Sequence, residues 1–389
     1  MMTIVSENVL LENSKCSESF YLKTLRWLIA LFIIASPLSP FVANTTIYLW
    51  IPLVFFDYQY IRSFRVVSRA VLLCVFIWLS MCFLFFRYDL ALKSFVLILG
   101  VSYLVKVGTP ITNKVYCCML VSIVWCVIQF IAYQINPSYS AAIGPGSISK
   151  FFWGEFATMT FTNQYTLFLF PRMSGLSREA GFFASLLIIS FMIRTRDNKL
   201  NFIEKSLFLL GYLFSLSKSS ITLVLFFILY PMRKLLRKIP VIVTFIGFIV
   251  IFVSLAQFLN IGAPSYFMVN DSIAHRLSAS YLMLHMNIGN LLYGCNTEYN
   301  CIIDYQPLVS YLTDQGLIPA VGLSGLIMDM GLLGFVGVIF AFLILKLDSY
   351  DVAIVAIFTA TVSFFTVDSF IILTYFYIIT NHKEKISFE

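Results

Sequence analysis

Apolar residues occur along this chain in long blocks that short polar segments separate. Most blocks are roughly 15 to 25 residues long, which is the length of a helix that crosses a bilayer. Barrel strands would show shorter, alternating patterns, and a spanning segment in lipid has to satisfy its own backbone hydrogen bonds. The pattern therefore predicts an all-α polytopic membrane protein.

About twelve blocks, within a range of ten to thirteen, are the predicted transmembrane helices of a single integral membrane domain, residues 1–389. They are residues 22–40, 43–60, 66–86, 88–107, 115–135, 180–193, 202–217, 219–232, 240–260, 319–345, 352–366 and 367–380. The residues before the first block are polar and of mixed charge, which is a poor start for a signal peptide, so this block is expected to remain as a helix.

Composition narrows the class of protein further. Of the 389 residues, 60% are hydrophobic and 12% are charged, and the mean hydropathy is +0.90. A soluble domain of this length does not hide so much apolar surface. The sequence therefore excludes an ordinary soluble enzyme or binding module.

The formal net charge of +7 raises the question of a nucleic-acid partner. Most basic residues, however, cluster in short segments between the apolar blocks, and alternating the blocks across the membrane puts these clusters on one face, as the positive-inside rule requires. The sequence thus predicts a polytopic membrane protein with both termini in the cytoplasm and no nucleic-acid partner.

Two long segments, residues 136–179 and 261–318, interrupt the rhythm of short connections and are predicted to be large periplasmic loops. They are where function is expected. The second loop contains Cys295 and Cys301, which either form a disulfide or remain two free thiols, because the sequence gives no distance between them. No Cys and His residues have the spacing of metal ligands, so neither a metal nor a cofactor is expected.

The first candidate site is the end of the first loop, where residues 172–184 read RMSGLSREAGFFA. Arg172 and Arg178 can each present a planar fork of donors to a phosphate, and Glu179 stands where the next helix would begin. The alternative is that the arginines are ordinary interfacial residues and that Glu179 only favours the helix N-terminus.

The second candidate is Lys218, which lies among hydroxyl residues in the sequence SLSKSS, residues 215–220. Lys218 is predicted at the outer mouth of two spans, where it could hold an oxygen of a pyrophosphate. A solvated turn lysine is the alternative.

The third candidate is residues 275–296, which show the spacing of an amphipathic helix lying flat on the outer leaflet. Its predicted apolar face comprises Leu277, Tyr281, Leu284 and Ile288. Arg276 is a further candidate ligand for a diphosphate, and His275 or His285 could transfer protons. A histidine that is merely interfacial is the alternative.

Three blocks of the chain resemble the superfamily of O-antigen polymerases (Wzy) and O-antigen ligases (WaaL) of bacterial inner membranes. They are residues 172–184, residues 215–220, and the run from Arg276 to Gly294 followed by LSGLIMDMGLLGFVG at 323–337. Together with the hydropathy profile, the resemblance covers most of the chain from Phe151 onward.

This resemblance implies a GT-C-like, metal-independent glycosyltransferase that joins undecaprenyl-diphosphate-linked oligosaccharides at the periplasmic face during lipopolysaccharide biosynthesis. A flippase and a chain-length regulator are then the expected partners. Ligases of the superfamily tend to carry a histidine shortly before the next span, and residues 301–319 have none, which favours a polymerase. Arg276 also precedes Gly289 and Gly294 at spacings that differ from the arginine-to-glycine repeats of some members.

With these residues the expected roles are as follows. Arg172, Arg178, Arg276 and Lys218 stabilise the charge of the leaving diphosphate, while Glu179 or His275 moves the proton of the acceptor hydroxyl. Rival bases in the second loop are Asp271, Glu298, Asp304 and Asp314. Two other functions stay open: an O-antigen ligase, and a lipid-linked oligosaccharide flippase or other transporter, which the acidic residue Asp329 within a span would suit.

The predicted topology can be tested with reporter fusions. Fusions after Ser138 and near Asn296 should report the periplasm, and fusions after Asp197 and Arg237 should report the cytoplasm, because basic segments stay on the cytoplasmic side. A cytoplasmic signal from either large loop would contradict the topology.

Overall fold

The structure is a computed structural model, and it describes residues 19–42, 45–63, 69–158, 160, 166–167, 170–197, 200–215, 220–295, 301–302 and 306–386. These residues are mostly helical, with two short hairpins as the sheet. The first hairpin pairs β1 (Phe41–Val42) with β2 (Thr45–Thr46), and the second pairs β3 (Thr166–Leu167) with β4 (Phe170–Pro171), both antiparallel. The all-α prediction is confirmed for the part of the chain described.

The helices follow one another with short connections. In chain order they are α1 (Phe20–Ile34), α2 (Trp50–Val54), α3 (Tyr58–Ser63), α4 (Arg69–Leu84), α5 (Tyr88–Val107), α6 (Thr109–Ile135), α7 (Pro137–Ala142), α8 (Pro145–Trp153), α9 (Ala180–Asp197), α10 (Phe202–Ser215), α11 (Ser220–Leu236), α12 (Val241–Phe258), α13 (Pro264–Phe267), α14 (Asp271–Leu282), α15 (Ile288–Tyr293), α16 (Gln306–Asp314), α17 (Gly322–Ile344), α18 (Ser349–Thr359) and α19 (Ser369–Ile386). One large apolar core joins the long helices.

Four described helices are long and apolar enough to cross a membrane, namely α5, α6, α12 and α17. Shorter apolar helices cover residues 72–84, 349–359 and 369–381. Helix α12 exposes aliphatic side chains along most of its length, as a helix that faces lipid does. The chain is therefore an all-α membrane protein, and the number of twelve spans remains a prediction.

One predicted span, residues 43–60, is wrong as a continuous helix. The described part of this segment contains β2, the single turn α2, and a break at Asp57 before α3. The Asp57 carboxylate binds Arg26 of α1, with 2.7 Å between Nε and Oδ2, and accepts the backbone N–H groups of Gln59 and Tyr60. Asp57 thus takes up amide groups that a continuous helix would bond internally, which is why the helix restarts there.

The two predicted loops are folded rather than open. In the second loop, α13 to α16 pack around a core of their own that also contains Met328.

The prediction of one amphipathic helix lying flat over residues 275–296 is wrong. Helix α14 ends at Leu282, packs against α12 and α17, and buries Leu277 and Tyr281, whereas Leu284 and Ile288 are exposed. A tight turn after α14 breaks the helical period, so these four residues share no face.

Helix α17 is interrupted at Gly331, where the backbone has φ of +65°. It therefore consists of two pieces, residues 322–330 and 332–344. Helix α15 lies directly against the interruption: a Cβ atom on Gly331 would come within 2.1 Å of the Leu292 carbonyl oxygen, and one on Gly294 within 2.6 Å of the Asp329 carbonyl oxygen. The break and the close packing both require glycine.

The substitution Gly331→Ala should destabilise the protein by more than about 2 kcal/mol, because it combines left-handed backbone strain with a backbone clash. The matched control is Gly247→Ala in α12, where a Cβ atom meets nothing within 4 Å and the change should stay within about 1 kcal/mol. The measurement is the thermal midpoint of the detergent-solubilised protein. Equal midpoints for the two variants would contradict this account of the break.

Candidate functional site

The segment before α9 is held in place by polar side chains of α6. Gly175 exchanges two hydrogen bonds with the buried amide of Gln129, at 2.9 and 3.0 Å, and Leu176 N–H donates to Ser122 Oγ at 3.0 Å. Gly175 has φ of +56°, which a side chain would strain. These bonds fix the short connection that carries Arg172 and Arg178, although Gln129 and Ser122 lie in the mostly apolar middle of α6.

Glu179 stands at the start of α9, as the sequence predicted for a helix beginning there. Its carbonyl oxygen accepts the N–H of Phe183 at 3.0 Å. The guanidinium of Arg178 lies over the ring of Phe182, with 4.6 Å between its central carbon and the ring centroid. The ring therefore supports the planar group and limits its rotation.

Three arginines from the two predicted loops interact electrostatically with the Glu179 carboxyl group. Burial raises the pKa of Glu179 above its usual range, and the charges of Arg178, Arg172 and Arg276 act in the opposite direction. Arg276 comes from α14, about a hundred residues further along the chain. Burial also lowers the pKa of Arg276, which the nearby Glu179 partly offsets. The structure thus brings together four of the residues that the sequence singled out.

Asp368 belongs to the same cluster, and sequence reasoning missed it. It precedes α19, accepts a hydrogen bond from Thr366 Oγ1 at 2.7 Å, and interacts electrostatically with Glu179 and with Tyr48. The signal that could have found it is an acid at the boundary between two apolar blocks, which the sequence analysis placed inside the last predicted span, residues 367–380.

His275 lies beside Arg276 on α14, and its ring is hydrogen-bonded to the backbone of Ile318. Burial and the charge of Arg276 lower the pKa of His275 to about 4, so the imidazole is neutral at pH 7. Asp271, one of the rival bases, interacts with both His275 and Arg276. His275 can therefore act as a proton acceptor but not as a cation near neutral pH.

The other predicted residues have different positions. Lys218, Glu298 and Asp304 lie outside the described residues. Asp314 is exposed at the end of α16, and His285 lies against the ring of Tyr281. Cys295 and Cys301 form a disulfide with 5.6 Å between their Cα atoms. Within the described ranges, no group of three or more His, Cys, Asp and Glu residues could hold a metal ion.

The fold and this cluster define an all-α membrane protein with arginines and carboxylates that interact electrostatically next to the ends of its helices. Comparisons of the chain with family models, curated proteins and solved structures each found no match.

The low pKa of His275 gives a testable pH dependence of stability. The unfolded histidine, with a pKa of about 6.5, binds a proton before the folded one does. Acidification from about pH 6.5 towards pH 4 should therefore destabilise the folded state, and this contribution is absent above pH 6.5.

The measurement is the thermal midpoint of wild type and His275→Asn in detergent between pH 4 and pH 8. The midpoint of the wild type should fall more steeply on acidification than that of the variant. Parallel curves would show that His275 does not titrate in the buried setting described.

Proposed function

We propose that this protein is a polysaccharide polymerase of the O-antigen type, a glycosyltransferase that joins undecaprenyl-diphosphate-linked oligosaccharides at the periplasmic face of the bacterial inner membrane. The observation that carries the proposal is the electrostatic interaction of Arg172, Arg178 and Arg276 with the buried Glu179. These residues come from the segments that resemble the superfamily, and they come from both predicted periplasmic loops.

The cluster suits a reaction in which a lipid diphosphate leaves a sugar. The bond between the anomeric carbon and the diphosphate oxygen breaks, and a bond from the acceptor hydroxyl oxygen to that carbon forms. The guanidinium forks of Arg172, Arg178 and Arg276 stabilise the negative charge on the departing diphosphate. In a partly buried site this stabilisation is stronger than in water.

Glu179 is the proposed base for the acceptor hydroxyl. A catalytic base works best when its pKa lies near the operating pH, and burial moves the Glu179 pKa upward in that direction. Asp368 interacts electrostatically with Glu179 and is the neighbouring group that can pass the proton onward. Because arginines supply the positive charge, the proposed reaction needs no metal ion or cofactor.

The proposed substrate also explains why the candidate site lies where the loops meet the helices. An undecaprenyl carrier keeps its chain in the bilayer and presents its diphosphate at the surface, where the loops meet the helices. A flippase that delivers the repeat units and a regulator of chain length are the partners that this reaction requires. An O-antigen ligase would use the same diphosphate chemistry, but it is disfavoured by the absence of histidine from residues 301–319.

A transporter of lipid-linked oligosaccharides is the second candidate, because α17 is broken and carries the buried acid Asp329. This acid, however, is paired with Arg87 at 2.9 Å, and only 8% of its side chain is exposed. Before Asp329 could bind an ion or a substrate, its ion pair with Arg87 would have to separate. We therefore favour the polymerase, and transport of repeat units without polymer formation would favour the second candidate.

Replacing the arginines tests the proposed reaction. If Arg172, Arg178 and Arg276 bind the diphosphate with two parallel hydrogen bonds each, single lysine replacements should lose much of the activity although they keep the charge, because an ammonium cannot reproduce the fork. Single alanine replacements should lose about ten- to a hundredfold in rate, since a hydrogen bond to a charged group is worth roughly 1.5 to 3 kcal/mol.

The measurement is the formation of long-chain glycan in a strain lacking the native gene, with the abundance of each variant in the membrane measured in parallel. Lys150→Ala is the matched control, because Lys150 is an exposed cation of the first loop that lies on α8. Three alanine variants that accumulate normally and still make full-length polymer would remove the arginines from the mechanism.

A further inference from the structure

Arg87 connects parts of the chain that are far apart in sequence. It lies in the turn between α4 and α5, and only 4% of the residue is exposed. Its Nη1 atom donates to the carbonyl oxygens of Asp329 at 2.8 Å and Cys295 at 3.3 Å, and its Nη2 atom donates to Asp329 Oδ1 at 2.9 Å. Its Nε atom donates to Asp89 Oδ1 at 3.2 Å, so one guanidinium binds two carboxylates and two backbone carbonyls.

These bonds satisfy backbone carbonyl groups that the break in α17 leaves without helical partners. Carbonyl groups just before the break lose the helical N–H partners that the next turn would supply. Met328 O accepts the N–H of Cys295 at 2.7 Å, and Asp329 O accepts the hydrogen bond from Arg87. Cys295 is in turn tied to Cys301 by the disulfide. Arg87, Asp329 and the Cys295–Cys301 disulfide are called the clamp below.

The piece of α17 that the clamp holds, residues 322–330, supports the candidate site from two sides. It packs against α14, where Ser280 Oγ and Ser324 Oγ form a buried hydrogen bond of 2.8 Å. Helix α14 carries Arg276 and His275. At the N-terminal end of this piece of α17, the N–H of Gly322 donates to Val362 O at 3.0 Å, in the connection that leads to Asp368.

We propose that the clamp is a positioning device for the proposed glycosyl transfer: by fixing the break in α17, it sets the places of Arg276 and Asp368 relative to Glu179. Arg87 and Asp329 then act through α14 and touch no substrate. This proposal rests on the proposed function for its activity measurements, whereas the position of the clamp itself can be measured without any activity.

The first experiment measures access to the disulfide. Cys295 is buried, with 4% of the residue exposed, so a membrane-impermeant reductant should reduce the wild-type bond slowly in intact cells. In Arg87→Ala the loop should detach from the break, and reduction followed by maleimide labelling should be at least about tenfold faster. The matched control is Lys150→Ala, which removes an exposed cation of α8 that lies outside the clamp.

The second experiment measures the position of α14. The double variant Ser280→Cys and Ser324→Cys should form a crosslink, identified by mass spectrometry of the peptides, in the otherwise wild-type and Lys150→Ala proteins. The yield should drop several-fold when Arg87→Ala is added. Unchanged reduction rates and unchanged crosslinking in Arg87→Ala would overturn the clamp.

The third experiment separates positioning from binding. Arg87→Ala and Asp329→Ala should lower kcat by about ten- to a hundredfold while KM for the lipid-linked repeat unit stays within about twofold, because a displaced Arg276 loses contacts made in the transition state. Arg87→Lys keeps a donor at the break and should recover part of kcat. Arg87→Lys is measured in parallel, so the test still gives a result if Arg87→Ala does not accumulate in the membrane.

The outcomes distinguish the clamp from the proposed function. A normal kcat in an Arg87→Ala protein that shows faster reduction and weaker crosslinking would overturn the positioning role. If the wild-type protein itself makes no polymer, the proposed function fails, and the reductant and crosslinking experiments alone decide whether the clamp fixes the break.

Discussion

Backbone hydrogen bonding away from water is the constraint on which the rest of this structure depends. A continuous helix satisfies its own N–H and C=O groups, and every interruption leaves some of them without a partner. The chain has two described interruptions where buried charged side chains take over this task, at Asp57 and at Gly331. Each of these charges has an oppositely charged partner: Asp57 pairs with Arg26, and Arg87 pairs with Asp329. The buried ion pairs therefore follow from the broken helices. A charged side chain that binds open backbone needs an opposite charge beside it, because removing one partner would leave a buried charge uncompensated.

The candidate site follows the same principle with neutral groups. The connection that carries Arg172 and Arg178 leaves the helical pattern, and its backbone is bound by Gln129 and Ser122 from inside α6. Both side chains are fully buried and would be costly in an apolar helix without these bonds. A connection held this firmly keeps its arginines in place before a ligand arrives, which lowers the entropy lost on binding.

The sequence predicted the features that depend on local composition. Hydropathy gave the membrane class, and the acid after two arginines gave the start of α9. The features it did not predict depend on partners far away along the chain: Asp57 binds Arg26, which is 31 residues earlier, and Arg87 binds Asp329, which is 242 residues later. Hydropathy therefore predicted residues 43–60 as a continuous span and left Arg87 between two predicted spans, with no role assigned to it. Asp368 was missed for the same reason, since its neighbours Glu179 and Tyr48 come from other blocks.

The number of charged groups distinguishes the candidate site from the two ion pairs. Arg26 pairs with Asp57, and Arg87 pairs with Asp329 and Asp89. The site instead contains three arginines and three carboxylates whose charges act on Glu179 or on Arg276, namely Arg172, Arg178, Arg276, Glu179, Asp271 and Asp368. Burial lowers the pKa of Arg276, so its positive charge lies where water shields it poorly. A buried cation is costly for the protein alone, and a bound anion reduces that cost. A diphosphate carries the charge and the oxygen atoms to complete the site, which is why we place the leaving group there.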